Sequence, residues 1–493
     1  MEPRYHHQIT AVKHLVQNDS FALIMEQGTG KSRPVIDDWL YRVDKGLAQD
    51  LVILAPKGCY LNWIIGNEDT PSELDRWMTP EERGNIQAAP WISSANKSQL
   101  LALENLSYAK GPRCLVMNIE ALNTKSKARE YLLRFMGGRK VIGVIDESTT
   151  IAHESAARTK FLLREVSHRF VARRILSGLV APESPMDLYT QYHYLDWRII
   201  GQRSFIAFRN RYAEVELIDY RPAHLRAEPL PTWKMAPKIL GYRNLDELNQ
   251  LIMAKSYRVT KDECLDLPPK VYEFWDVELT EEQGRIYRQM RDIATAQLKE
   301  GLYSTASMKL DQLGKMQHIL CGHVRNEDGT LTDIEENRTQ AVVDILHQHA
   351  GKAIIWCPWP HALQKIENRL RKEFGDGSTV GFWGEHSLDD RLEARDRIQN
   401  DDATRFIISN QSVGKFGNTW TSCNLVIYFA NSFDNEDRQQ SEDRAHRIGQ
   451  TRSVTYIDLR AKGTIDEKLI QVLRRKISLA STLVGDEFRK WLV

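Results

Sequence analysis

At 493 residues and 56.9 kDa the chain is too long for one ordinary core, so two or three domains are expected. Its 42% hydrophobic and 27% charged residues exclude an intrinsically disordered chain. Lysine and arginine (67) nearly balance aspartate and glutamate (66), so overall charge gives nucleic-acid binding no support and any such surface must be a local basic groove.

Short apolar runs at 21–25 (FALIM), 51–55 (LVILA), 114–118 (CLVMN), 141–145 (VIGVI) and 173–178 (RRILSG) predict a first set of strands. The segment from Arg158 to Arg174, rich in arginine, reads equally well as a DNA-facing groove or as a solvated helix face. From about 185 to 345 the pattern changes to helical insertions (FIAFRNRYAEV), an LPP at 267–269 and a polar turn at 325–333. A second set of strands is predicted at 352–357, 379–383, 405–409, 424–430 and 454–459, with amphipathic helices over 361–374 and 464–479. Continuous apolar strands alternating with helices predict an α/β fold of parallel sheets covered on both faces, and two sets predict two such domains. The boundaries expected are 1–250 for the first domain, with a helical insertion after about 185, 251–345 for a connector and helical insertion, and 346–493 for the second domain.

The six cysteines, Cys59, Cys114, Cys264, Cys321, Cys357 and Cys423, are scattered with no C-x-x-C pair. That usage points to a reducing cytosol rather than to disulfides or zinc. No run approaches ~18 apolar residues and the first residues lack an apolar signal core, so a cytoplasmic protein with no membrane span is expected.

Three segments carry chemistry. In EQGTGKS (26–32), Gly28 and Gly30 let the backbone bend around phosphates, Lys31 can reach the outer phosphates and Ser32 can ligate magnesium. The strict phosphate-loop pattern wants glycine at 25, where this chain has Met25. In VIGVIDESTT, Asp146 and Glu147 stand just past a buried strand, suited to holding magnesium and to activating water, although acid pairs at strand ends are common. In QQSEDRAHRIGQ (439–450), the i, i+4, i+7 spacing predicts Gln440, Arg444 and Arg447 on one helix face. There two guanidiniums are placed to stabilise a transferring phosphate, or else form a solvated basic face.

Taken in order, these segments resemble the Snf-type (Swi/Snf) DNA translocases of helicase superfamily two, over nearly the whole chain. HHQITAVKHL is similar to the adenine-reading Q motif, with Gln8 as the matching residue. EQGTGKS matches the phosphate loop, from which the family also commonly lacks the first glycine. LAPKGCYLNW (54–63) resembles the motif that touches the DNA backbone, and SYRVTKDECLDLPPK (256–270) the connector between lobes. KAIIWCPW, SNQSVGKFGNTWTSCNLVIYFANSFD (409–434) and SEDRAHRIGQT resemble motifs IV, V and VI, and GTIDEKLIQVLRRK (463–476) the closing helix of the second lobe.

The resemblance implies two RecA-like parallel-sheet lobes in tandem with helical insertions, and an ATP hydrolase coupled to translocation on double-stranded DNA. The implied catalytic residues are Lys31, Asp146, Glu147, Arg444 and Arg447. Gln8, Gly28, Thr29, Gly30, Lys31, Ser32 and Gln440 would bind ATP, Ser32 and Asp146 would hold Mg2+, and Lys57, Asn62 and Trp63 would contact DNA. Binding by phosphate contacts implies little sequence preference. A compact monomer of bacterial or phage type is expected, in DNA repair, recombination, replication or removal of bound proteins. A strand-separating helicase, an RNA-polymerase remodeller and a nucleotide-switched DNA-binding scaffold with little hydrolysis stay open. Two departures bear on coupling: Thr149 stands where the family often has His, and Leu179-Val180 follow Ser177-Gly178 where the family has Thr-Pro.

Overall fold

The apolar runs of the first half form strands because β-branched and aliphatic side chains can be buried on both faces of a parallel sheet. The computed structural model describes residues 3–66, 71–124, 127–178, 181, 184–219, 235–264, 267–299, 306–326, 328–414, 419–470 and 473. In chain order the first strands are β1 (Ser20–Met25), β2 (Asp50–Ala55), β3 (Gln87–Trp91), β4 (Arg113–Asn118), β5 (Val141–Asp146) and β6 (Ala172–Ser177). Helices over Leu188–Ile200 and Phe205–Tyr212 then lead to an antiparallel hairpin, β7 (Ala213–Ile218) with β8 (Ala236–Tyr242), and to β9 (Ser256–Val259). The sheet runs β3-β4-β2-β5-β6-β1-β9, parallel throughout. Its core sets Val52, Leu54, Leu115, Met117 and Ile145 together with Leu132, Phe135, Tyr192 and Leu195 from covering helices.

A buried ionic network fixes the helix that carries the phosphate loop. Helix α1 spans His6–Gln17 and α2 spans Ser32–Asp44. Asp38 of α2 accepts from Arg42 at 2.9 Å and from Arg174 of β6 at 3.1 Å, while both guanidiniums also donate to the Leu15 carbonyl at the end of α1. All three side chains are buried. Each charge is paired, which is the condition under which burial is tolerated.

The second unit begins at Leu267. It contains β10 (Lys270–Asp276), a hairpin of β11 (His323–Arg325) and β12 (Leu331–Asp333), then β13 (Lys352–Trp356), β14 (Thr379–Phe382), β15 (Phe406–Ser409), β16 (Cys423–Tyr428) and β17 (Val454–Arg460). Its sheet, also parallel, runs β10-β17-β16-β13-β15-β14. The chain is therefore two RecA-like α/β units in tandem. The segment expected as a connector supplies an edge strand to each sheet, β9 to the first and β10 to the second. The basic segment 158–174 is neither one helix nor one groove wall. It makes a short helix over Ala157–Phe161, further helical turns to Arg169, and then β6, which removes Arg174 from solvent. The amphipathic helix expected over 361–374 is observed over Pro360–Phe374. The closing helix is described only from Ile465 to Ile470 and at Leu473.

Candidate nucleotide site

In a parallel sheet ligands bind beyond the carboxyl ends of the strands, and three such ends carry the motifs of the first unit. Met25 is the last residue of β1, paired with Val259 and fully buried. Position 25 thus lies inside the sheet, where a glycine has no turn to make. The turn follows at Gly28 and Gly30, whose φ angles of 84° and 81° are left-handed. A side chain at Gly30 would in addition collide with Gln8, its Cβ lying 2.4 Å from the Gln8 amide nitrogen. Beyond the turn α2 starts at Ser32, and its amino end favours an anion.

The loop is braced from behind by α1. His7 Nε2 lies 2.8 Å from the Thr29 carbonyl oxygen, and Gln8 Nε2 donates to the Gly30 carbonyl at 3.2 Å. Gln8 Oε1 accepts the Tyr5 N–H at 3.1 Å, so both ends of this amide are engaged and the residue is only 1% exposed. Gln8, expected at an adenine, thus ties α1 to the glycine turn. The Thr29 hydroxyl likewise turns inward, donating to the Glu26 carbonyl at 2.7 Å. After β6, Gly178 passes so close that an added Cβ would stand 3.2 Å from the Gln27 backbone nitrogen.

Lys31 and the two carboxylates converge. The Lys31 ammonium is 3.8 Å from Glu147 Oε1, is buried, and has no hydrogen-bond acceptor among the described residues. Gln27 Nε2 donates to the same Glu147 oxygen at 3.1 Å. Glu147 itself holds a left-handed backbone at φ 49°, a strained state for a residue with a side chain, of the kind that persists at functional sites. Ser148 donates to Gln191 at 2.6 Å inside the core and anchors the strained turn. Asp146 accepts the Glu147 N–H on Oδ1 at 3.0 Å and the Trp63 indole N–H on Oδ2 at 3.1 Å. Burial, and then the adjacent Glu147 charge, push its carboxyl up to about 6, against the opposing pull of Lys31 and the two donors.

Other expected site residues lie elsewhere. Lys57 is exposed and Asn62 half-buried, both in the segment after β2. Trp63, expected at DNA, is 2% exposed and belongs to the carboxylate site through its indole. Nothing in the sequence singled out that contact, because the two residues lie 83 positions apart. Thr149 is half-buried in the turn after Glu147, and Leu179 and Val180 lie outside the described residues.

The helix expected to align Gln440, Arg444 and Arg447 is shorter than its spacing suggests. It spans Asn435–Glu442 and then breaks into turns. The Arg444 carbonyl accepts the Trp420 N–H at 3.0 Å, and the Gln450 amide binds the Ala445, Cys423 and Thr421 carbonyls, so these groups are diverted from a helical ladder. Arg444 is 3% exposed and donates to the Gln440 carbonyl at 3.0 Å, whereas Arg447 is half-buried. Arg438, on the same helix, carries no signal in the sequence motif. Its guanidinium grips Asp458 at 2.5 and 3.1 Å, Glu442 at 2.9 Å and Asn431 at 2.7 Å, and stacks 3.5 Å from the Tyr428 ring centre.

A parallel sheet whose strand ends unite a left-handed glycine turn, a buried lysine and adjacent carboxylates has the arrangement expected of a phosphate-loop nucleotide site. Residues 337–449 match the helicase conserved C-terminal domain. The chain is 28% identical over 477 residues to an uncharacterised ATP-dependent helicase of Mycoplasma genitalium, covering 94% of this chain and 40% of that protein. It is 27% identical over 495 residues to the human DNA annealing helicase and endonuclease ZRANB3, covering 96% and 39%. The chain thus spans about two fifths of the length of these relatives. Among solved structures it aligns with the Sulfolobus solfataricus SWI2/SNF2 ATPase core in complex with dsDNA, at 20% identity and a TM-score of 0.41, over 100% of this chain and 95% of that one. The chain thus contains a helicase conserved C-terminal domain and is similar along nearly its whole length to ATP-dependent helicases.

Proposed function

We propose that the chain hydrolyses ATP to move along double-stranded DNA without separating its strands. The observation that carries the catalytic half is the buried Lys31 ammonium beside Glu147, with no hydrogen-bond acceptor of its own among the described residues. Such a cation suits an incoming anion. In this reading Lys31 turns to the outer phosphates of ATP and leaves Glu147 to orient and deprotonate the attacking water. The left-handed glycine turn suits close approach of phosphate to backbone, and Ser32 with Asp146 suits a divalent cation. Magnesium held there would neutralise charge on the phosphates. Arg444 and Arg447 take the role of charge-stabilising arginines on the strength of their motif.

DNA as the track is supported by the helicase C-terminal domain match and by the human relative's being a DNA annealing helicase. Lys57 and Asn62 would meet its phosphates, which implies weak sequence preference and strong salt dependence. The setting we propose is DNA repair, recombination, replication or removal of bound protein, by a monomer in the cytosol. The test is the ATPase rate with duplex, single-stranded or no DNA, beside triplex displacement and fork unwinding. Duplex stimulation with triplex displacement and no unwinding is the expected result. Unwinding would instead make the chain a strand-separating helicase.

A further inference from the structure

We infer that Trp63 is the positioning residue through which the segment after β2 acts on the ATP site. The inference rests on the reading above, in which Lys57 and Asn62 of that segment meet DNA. From Pro56 to Ile65 the backbone is one run of short-range hydrogen bonds. The N–H groups of Cys59 and Tyr60 bond the Pro56 carbonyl at 3.0 Å, that of Asn62 bonds Cys59 at 3.0 Å, and those of Ile64 and Ile65 bond Leu61 at 3.0 and 2.7 Å. Its front is tied by the Lys57 N–H, which donates to Glu120 at 3.1 Å beyond the end of β4. A segment bonded in this way moves as a body rather than residue by residue.

The two ends of that body differ. Lys57 and Gly58 stand in solvent, whereas Trp63 is buried and spends its one indole N–H on Asp146 Oδ2. Among the described residues Asp146 holds a single donor on each oxygen, Trp63 on one and the Glu147 backbone on the other. A shift of the indole therefore turns the carboxylate and pulls on the Glu147 peptide, which is already held in a left-handed state. Trp63 follows Asn62 directly, so a phosphate gripped at Asn62 displaces the indole with little slack. This is a physical path from a DNA contact to both carboxylates that bypasses Thr149 and Leu179, the two positions where the sequence departs from the family.

The test compares the full wild-type chain with Trp63→Phe, which keeps a buried ring and removes the N–H. Two ratios are read: ATP turnover with duplex over turnover without it, and the Kd for a fluorescent ATPγS analogue with Mg2+, without duplex over with it. Binding linkage is reciprocal, so the second ratio measures coupling independently of turnover. Both ratios are expected to fall by about tenfold or more, the scale of one hydrogen bond to a charged group, with the duplex affinity of the nucleotide-free protein retained. If Trp63→Phe does not fold, benzothienylalanine at 63, with the same shape and no N–H, is measured in its place. Ratios carried over unchanged would overturn the inference. Absence of duplex-stimulated turnover in the wild type would instead remove the reading on which it rests.

Discussion

The two sheets of this chain share an architecture and differ in how their strand ends treat charge. In the first unit the Lys31 ammonium has no hydrogen-bond acceptor among the described residues, Glu147 is strained, and Asp146 is pushed up to about 6. In the second unit Arg438 is engaged by Asp458, Glu442 and Asn431. Glu442 in turn accepts from Lys270 at 3.3 Å and from Tyr272 at 2.7 Å. Although burial opposes ionisation of Glu442, Lys270 and Arg438 hold its carboxyl below the usual glutamate range. Charges that satisfy one another make a brace, and charges left unsatisfied make a site that a ligand can complete.

That contrast can be broken from either side. The largest effect is expected in the brace: Arg438→Met leaves buried Asp458 with no cation and only the Asn431 amide as donor, and should destabilise the second unit by about 3–5 kcal/mol, read as an early transition in urea. A loss below about 1 kcal/mol would mean that the network is ornamental. In the site the sign reverses, because removing a charge there relieves a cost. Asp146 binds its proton more tightly folded than unfolded, so its ionisation weakens the fold as pH rises from about 4 to about 6 and fully above that. Asp146→Asn should therefore stabilise the nucleotide-free, metal-free protein at pH 7.5 by about 1–3 kcal/mol, with the gain vanishing below about pH 4, as thermal melts across pH will show. A variant no more stable than the wild type at pH 7.5 would remove the idea of stored electrostatic strain. The smallest effect is expected at the loop. Gly30→Ala meets a left-handed backbone and the Gln8 amide, and should cost about 1–2 kcal/mol while weakening ATP binding.

The sequence made the central strands legible, because β2 and β4 are buried along their whole length and carry the apolar runs LVILA and CLVM. The edges were not. β3 contains Pro90 and two alanines, and β10 is largely exposed, so neither shows the apolar run of a central strand. Of the site, Lys31, Asp146 and Glu147 were legible because each sits at a fixed offset from a strand end. Trp63 and Arg438 were not, since their partners are chosen by the sheet and lie far away in sequence. The i, i+4, i+7 spacing at 440–447 misled because tertiary partners, Trp420 and Gln450, draw the backbone out of the helix after Glu442.

The most direct measurement is ATP turnover of the wild type and of Glu147→Gln, each with and without duplex DNA. The account predicts turnover that rises with duplex and falls by about 10²–10³-fold in the variant, with the melting temperature kept. Wild-type turnover at background with every DNA, or a Glu147→Gln protein as active as the wild type, would contradict it.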